Sequence, residues 1–292
     1  MNFFNNTNNN HNKIIDDGIR KFCICERIND EYMRSLYNNY IEGEIMEIKR
    51  KKTFNKALLY IFIILLLLVF QKLISKFGGI VADAIPCENY DPYKAFAWVS
   101  IHHITEMVAT LVVIMILSKT LKVNFGLGFG DKKKGIKFVM VFTTIFTGVT
   151  LICHILMLIY NMLPVYNYPL NKNNIMGTLG FQLLLSGPAE EILFRALPIT
   201  MLVYIWKKSI KVKWNITLEI IIAALLFSIA HMKWSLFPFI IEANFFQLLY
   251  AFVLGIINGI AYQKSKSIIY PMIIHSISNV LMVGIGYLFI LL

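Results

Sequence analysis

After a polar stretch over residues 1–55, the chain alternates between long apolar runs and short polar links. The apolar runs fall at about 57–75, 95–117, 136–160, 175–206, 216–231, 245–262 and 268–290. A helix needs about 20 residues to cross the hydrocarbon core of a bilayer. Six runs meet that length, and the fifth meets it only if its ends extend into flanking aromatics. The fourth is over-long and interrupted at Gly187-Pro188. The expected fold is therefore all-α, a polytopic membrane bundle of about seven transmembrane helices. It becomes eight if 175–186 folds as a separate re-entrant piece.

Composition supports the same class. Of 292 residues 57% are hydrophobic and only 15% are charged, where soluble domains run nearer a quarter charged. The balance of 28 Lys+Arg against 17 Asp+Glu gives a net charge of +11, which in a soluble chain would suggest nucleic acid. Here the lysines stand between apolar runs, so the partner they imply is the lipid bilayer and not nucleic acid. Lys49, Arg50, Lys51, Lys52 and Lys56 precede the first run, and Lys119, Lys122, Lys132, Lys133, Lys134 and Lys137 follow the second. Lys207, Lys208, Lys211 and Lys213 follow the fourth, and Lys264 and Lys266 the sixth. The alternate links carry few lysines and most of the acids, among them Asp83, Glu88 and Asp91. By the positive-inside rule the expected location is the cell membrane, multi-pass, with the N-terminus cytoplasmic.

Residues 1–55 are then a cytoplasmic N-terminal segment, with Asn-rich 1–13 expected to be disordered and 14–55 to hold a short helix. Because this segment is polar, the first apolar run reads as a true span and not a signal peptide. Residues 56–292 are the transmembrane domain. Cys23, Cys25, Cys87 and Cys153 make no CxxC and have no zinc-finger spacing, so they read as structural or incidental.

Ionisable groups inside spans cost at least ~2.5–3.5 kcal/mol on insertion scales and tend to be functional. The fourth run contains SGPAEEILFR, residues 186–195. A helix starting near Pro188 would put Glu190 and Glu191 in its first turn, at the positive end of the macrodipole. Glu191 and Arg195 are four apart and can pair, whereas Glu190 points about 100° away and finds no partner on its own helix. The fifth run ends in FSIAHMKW, with Phe227 one turn before His231. Glu190 lies 17 residues before Lys207 and His231 lies 18 after Lys213, which puts them at one depth in regular helices. The seventh run holds His275 and Asn279 on one face. These lie only 9 and 13 residues past Lys266, so that helix must tilt to bring them level.

Other polar positions invite plainer readings. His103 and Glu106 in HHITE could contribute to a metal site, but HExxH is absent and their place near the outer interface favours a solvated or structural role. His154 is a lone histidine in a span. GIING, Gly255 to Gly259, is a small-xxx-small packing face.

Together Glu190-Glu191-xxx-Arg195, Phe227-xxx-His231 and His275-xxx-Asn279 resemble the three signature motifs of the CAAX protease and bacteriocin-processing (CPBP, or Abi) family of intramembrane proteases. The resemblance covers about 175–282 and departs at Ala196, where many members have Gly. It implies a glutamate-dependent endopeptidase acting on a peptide or membrane-anchored protein substrate, without a cofactor. Carried over, Glu190 is the general base, His231 orients the water or shuttles its proton, and His275 and Asn279 stabilise the oxyanion. Glu191, Arg195 and Phe227 would support the site. An older reading of the family places zinc on Glu190, His231 and His275, a sound three-ligand geometry. A non-catalytic scaffold, giving bacteriocin immunity or regulating a membrane sensor, is the competing function. A transporter would also suit a broken helix, but no inverted repeat is seen.

Overall fold

The computed structural model describes residues 31–236 and 239–292. The expected disorder of 1–13 and the cysteines Cys23 and Cys25 lie outside the described residues. Two compact units are distinguished, one up to Phe62 and one over Ile63–Leu292.

All seven apolar runs are helical. Helix α1 (Glu31–Ala84) carries the first, and its polar part continues into the apolar part without a separate short helix. Then come α2 (Ala97–Leu121) and α3 (Lys132–Ile159). The fourth run is a composite of α4 (Lys172–Phe181), α5 (Gly187–Glu191) and α6 (Leu197–Trp206), joined by π-helical turns at Gln182–Ser186 and Ile192–Ala196. A hairpin of β1 (Lys211–Lys213) and β2 (Ile216–Thr217) leads into α7 (Leu218–Ala230). A second antiparallel hairpin, β3 (Lys233–Leu236) and β4 (Phe239–Glu242), leads into α8 (Phe245–Ser265), and α9 (Ile269–Leu291) follows.

Among the described residues, five helices are long and apolar enough to cross a membrane: α1, α2, α3, α8 and α9. The exposed Leu65, Leu66, Val112, Met115, Ile145 and Ile152 on α1 to α3 are the apolar outer surface that lipid solvates. The protein is an all-α polytopic membrane protein. The expectation of seven full spans needs adjusting at the fifth run. Helix α7 has 13 residues, about 20 Å at 1.5 Å each, and stops inside the thickness of a bilayer. The chain turns into the β3–β4 hairpin there, and aromatic flanks do not extend the helix.

The fourth run also departs from expectation. Ser186 and Gly187 are both helical, at φ −59°, ψ −57° and φ −56°, ψ −53°, so no helix begins at Pro188 and 175–186 is no separate re-entrant piece. A proline ring clashes with the carbonyl four residues back in an α-helix. The wider π turn just before Pro188 gives the ring room without a break. Gly187 is demanded by a helix crossing: a Cβ there would lie 2.6 Å from the Met272 carbonyl oxygen of α9. Glu190 and Glu191 therefore sit mid-helix between two π turns, not at a free N-terminus.

Asp91, in the link between α1 and α2, is fully buried and accepts N–H bonds from Ala95, Phe96 and Ala97 at 2.8, 2.9 and 2.6 Å. It does for α2 what an N-cap side chain does, since Phe96 itself provides no side-chain cap. Asp131 caps α3 more simply. Its hydrogen bond to Lys134, whose ammonium lies 2.8 Å away, holds its carboxyl below the usual range.

Gly255 and Gly259 of α8 pack against Ala224 and Ile220 of α7, the close contact that small-xxx-small spacing provides. The buried clusters centre on α5 to α9: Leu193, Phe194, Phe227 and Ala251 in one, Leu254, Ala261 and Ile274 in another. The charged groups of the fourth run lie against the first of these.

Candidate active site

Glu191 and Arg195 are both fully buried, with Arg195 Nη1 3.3 Å from Glu191 Oε1, as their spacing predicts. That one oxygen also receives Nδ2 of Asn258 from α8 at 2.9 Å and Nδ1 of His275 from α9 at 2.7 Å. The guanidinium carbon of Arg195 lies 3.9 Å from the centre of the Phe227 ring. Arg195 is thus held by charge and a cation–π contact. Phe227 in turn packs edge-to-face on His231 and His275, with ring centres 4.6 and 5.9 Å away. Its ring is a shared wall behind the cation and both imidazoles.

Glu190 departs from the expectation that it has no partner on its own helix. Ser186, four residues back, donates to Oε1 at 3.2 Å, and Asn279 Nδ2 donates to Ser186 Oγ at 2.9 Å. Helix α9 thus touches both glutamates, directly through His275 and indirectly through Asn279. Its crossing at Gly187 removes the depth mismatch counted from Lys266. His275 Nε2 stands 3.7 Å from Glu190 Oε2, too long for a direct hydrogen bond.

The fourth contributor, His103, departs from the solvated or structural role that its place in HHITE suggests. Nε2 of His103, from α2, is 3.2 Å from Glu190 Oε1. Behind it, His102 Nε2 lies 3.0 Å from the Ser75 carbonyl oxygen of α1 and 3.5 Å from Glu106 Oε1. Among the described residues, the metal-ligating atoms that converge to within 4.8 Å of one another are those of His102, His103 and Glu106. The set Glu190, His231 and His275 is not such a cluster. His154 is buried, with Nδ1 2.9 Å from the Thr150 carbonyl oxygen.

Hydrogen-bond partners fix the imidazole tautomers. A carbonyl oxygen only accepts, so Nδ1 of His103 (Val99 O, 2.9 Å) and of His231 (Phe227 O, 2.9 Å) each carry a proton. Nδ1 of His275 donates to the Glu191 carboxylate in the same way. In its neutral form each ring then presents Nε2 as a lone pair. Glu191 and Arg195 cancel, which leaves one buried negative charge on Glu190 to be balanced. Beside it stand His103 Nε2, 3.2 Å from Oε1, and His275 Nε2, 3.7 Å from Oε2.

Three features escaped the sequence reading: His103, Ser186 and Asn258. The ruler that aligned Glu190 with His231 also reaches His103, which lies 16 residues before Lys119. Asn258 lies inside GIING, between glycines whose spacing alone accounts for a packing face.

Residues 172–281 match the family model described as type II CAAX prenyl endopeptidase Rce1-like. No curated protein and no solved structure matches the chain. The CPBP resemblance carried by the three motifs therefore holds over 172–281, the Rce1-like part of this membrane protein.

Proposed function

We propose that the protein is an intramembrane endopeptidase that hydrolyses a peptide or membrane-anchored protein with a water activated by Glu190. The observation that carries this reading is the asymmetry of that carboxylate: Oε1 is engaged by Ser186 and His103, while Oε2 has no hydrogen-bond partner among the described residues and faces His275 at 3.7 Å. A water about 2.8 Å from both Oε2 and His275 Nε2 fits that separation. As its oxygen attacks the scissile carbonyl carbon, Oε2 takes its proton and the carbonyl electron pair moves onto oxygen. Asn279, through the second N–H of its Nδ2, and His275, once its Nε2 carries a proton, donate to the developing oxyanion. Collapse expels the amine, which leaves with the proton from Glu190, and Glu190 returns ionised. His231 orients the water or shuttles its proton. Glu191, Arg195 and Phe227 hold the frame.

The test is to incubate the purified protein in detergent with a peptide library that includes prenylated CAAX peptides, and to read the products by mass. Cleavage is expected, and it should persist in a membrane-permeant chelator. No cleavage of any peptide would favour the scaffold. Loss in chelator with recovery on zinc would favour a metal-dependent peptidase instead.

We also propose that the lysine-rich links face the cytoplasm. Cys87 is a poor reporter because it is buried, with Tyr90 Oη donating to its sulfur at 3.2 Å. Glu88 and Lys208 are exposed. In a chain cleared of its native cysteines, an impermeant thiol reagent should label the Glu88→Cys variant in intact cells and the Lys208→Cys variant only after lysis. The opposite pattern would invert the topology.

A further inference from the structure

We infer that His103 is a positioning residue for Glu190, supplied by α2 from outside the matched segment 172–281: it fixes Oε1 and leaves Oε2 as the oxygen that takes the proton from water. This rests on the endopeptidase reading above.

His103 is itself tightly placed. Its Nδ1 is spent on the Val99 carbonyl oxygen, and its ring meets Phe181 edge-to-face at 4.9 Å, just before the first π turn. His102 backs it edge-on at 5.2 Å and stacks on Trp98 at 5.3 Å, whose Nε1 donates to Asp83 Oδ1 at 2.7 Å. A Cβ at Gly78 of α1 would come within 2.8 Å of the His102 ring, so α1 closes on this stack. The ring of His103 therefore has no freedom to point elsewhere, and what it points at is Glu190 Oε1.

That contact has a chemical consequence. With Nδ1 already a donor, a neutral His103 would set an Nε2 lone pair against a carboxylate lone pair at 3.2 Å. A proton shared between Nε2 and Oε1 makes the contact attractive. It anchors one oxygen and concentrates the reactive lone pairs on the other. Ser186, tied to Asn279, anchors the same oxygen from one turn earlier in the fourth run. A metal on His102, His103 and Glu106 fits less well, because His102 Nε2 and His103 Nδ1 already lie against backbone carbonyl oxygens.

The experiment measures kcat, KM, melting temperature and zinc content for wild type, His103→Ala, His103→Gln and Glu190→Gln on one cleaved peptide. Small misplacement of a reacting group costs up to about 100-fold, so His103→Ala should lose about ten- to a hundredfold in kcat with KM little changed. His103→Gln, whose amide N–H can reach Oε1, should retain more. Added imidazole should raise kcat of His103→Ala and leave Glu190→Gln inactive. Wild-type kcat in His103→Ala overturns the inference. So does parallel loss of kcat and melting temperature in both His103 variants with no response to imidazole, which would mean packing alone. Wild-type activity that tracks bound zinc lost in His103→Ala would make this a metal site instead. Turnover by Glu190→Gln would be a separate result, removing the endopeptidase reading and this inference with it.

Discussion

Replacing Glu190 by glutamine should abolish cleavage and leave the protein folded. The amide keeps the volume of the carboxylate, and its oxygen can still accept from Ser186 Oγ, which sits 3.2 Å from Oε1. It cannot accept the proton of an attacking water. General-base catalysis contributes about 10²–10⁴-fold, and here Glu190 is also assigned delivery of that proton to the leaving amine, so turnover should fall to background. Stability should hold, because the imidazole of His103 facing Oε1 at 3.2 Å can give up a proton once the carboxylate is gone, which a guanidinium such as that of Arg195 cannot do. The measurement is turnover of one identified peptide alongside the melting temperature in detergent. Turnover near the wild-type rate would remove Glu190 as the base.

Much of this arrangement can be read from the chain because insertion into lipid is so selective about charge. Arg195 and Glu191 are fully buried, and the four-residue spacing that predicted their pairing is local, so a single helix determines it. The seven helical runs follow equally directly from hydropathy. What escaped were relations between helices. Nothing within α9 says how far it tilts, and it is the crossing at Gly187 that brings His275 onto both carboxylates. His103 needed α2 to be set beside α5, a packing fact that no periodicity contains.

The π turns are a different kind of omission. Gly187-Pro188 is normally a helix boundary, because proline disfavours helix at the residue before it. The chain instead absorbs the proline by widening the turn before it and keeps its helical course. The consequence for the site is real. With Ser186 still helical, its hydroxyl stands one turn from Glu190 and becomes a partner to it. Had a helix begun at Pro188, that hydroxyl would have been free to cap it. Helix α7 shows the reverse: Met232 and Trp234 continue the apolar character past His231, but the helix ends there and the chain turns into a hairpin.

Glu191→Gln should fail by a different route, losing stability first and activity through it. Glu191 Oε1 is the meeting point of Arg195, Asn258 and His275 at 3.3, 2.9 and 2.7 Å. A glutamine oxygen can still accept from Asn258 and His275, but it leaves the fully buried guanidinium without a counter-charge. Breaking a buried pair from one side costs about 3–5 kcal/mol. The Phe227 face beneath Arg195 does not replace that loss, since cation–π contacts are worth about 0.5–2 kcal/mol and this one is present already. The melting temperature should fall clearly below that of Glu190→Gln, with turnover lost in proportion to folded protein. Adding Arg195→Met to Glu191→Gln removes the stranded charge, so the double variant should be more stable than Glu191→Gln alone, a coupling visible in a double-mutant cycle. If Glu191→Gln is stable yet inactive while Glu190→Gln is unstable or active, the two glutamates exchange roles. If both variants are stable and cleave at the wild-type rate, neither carboxylate is the base and the endopeptidase reading falls.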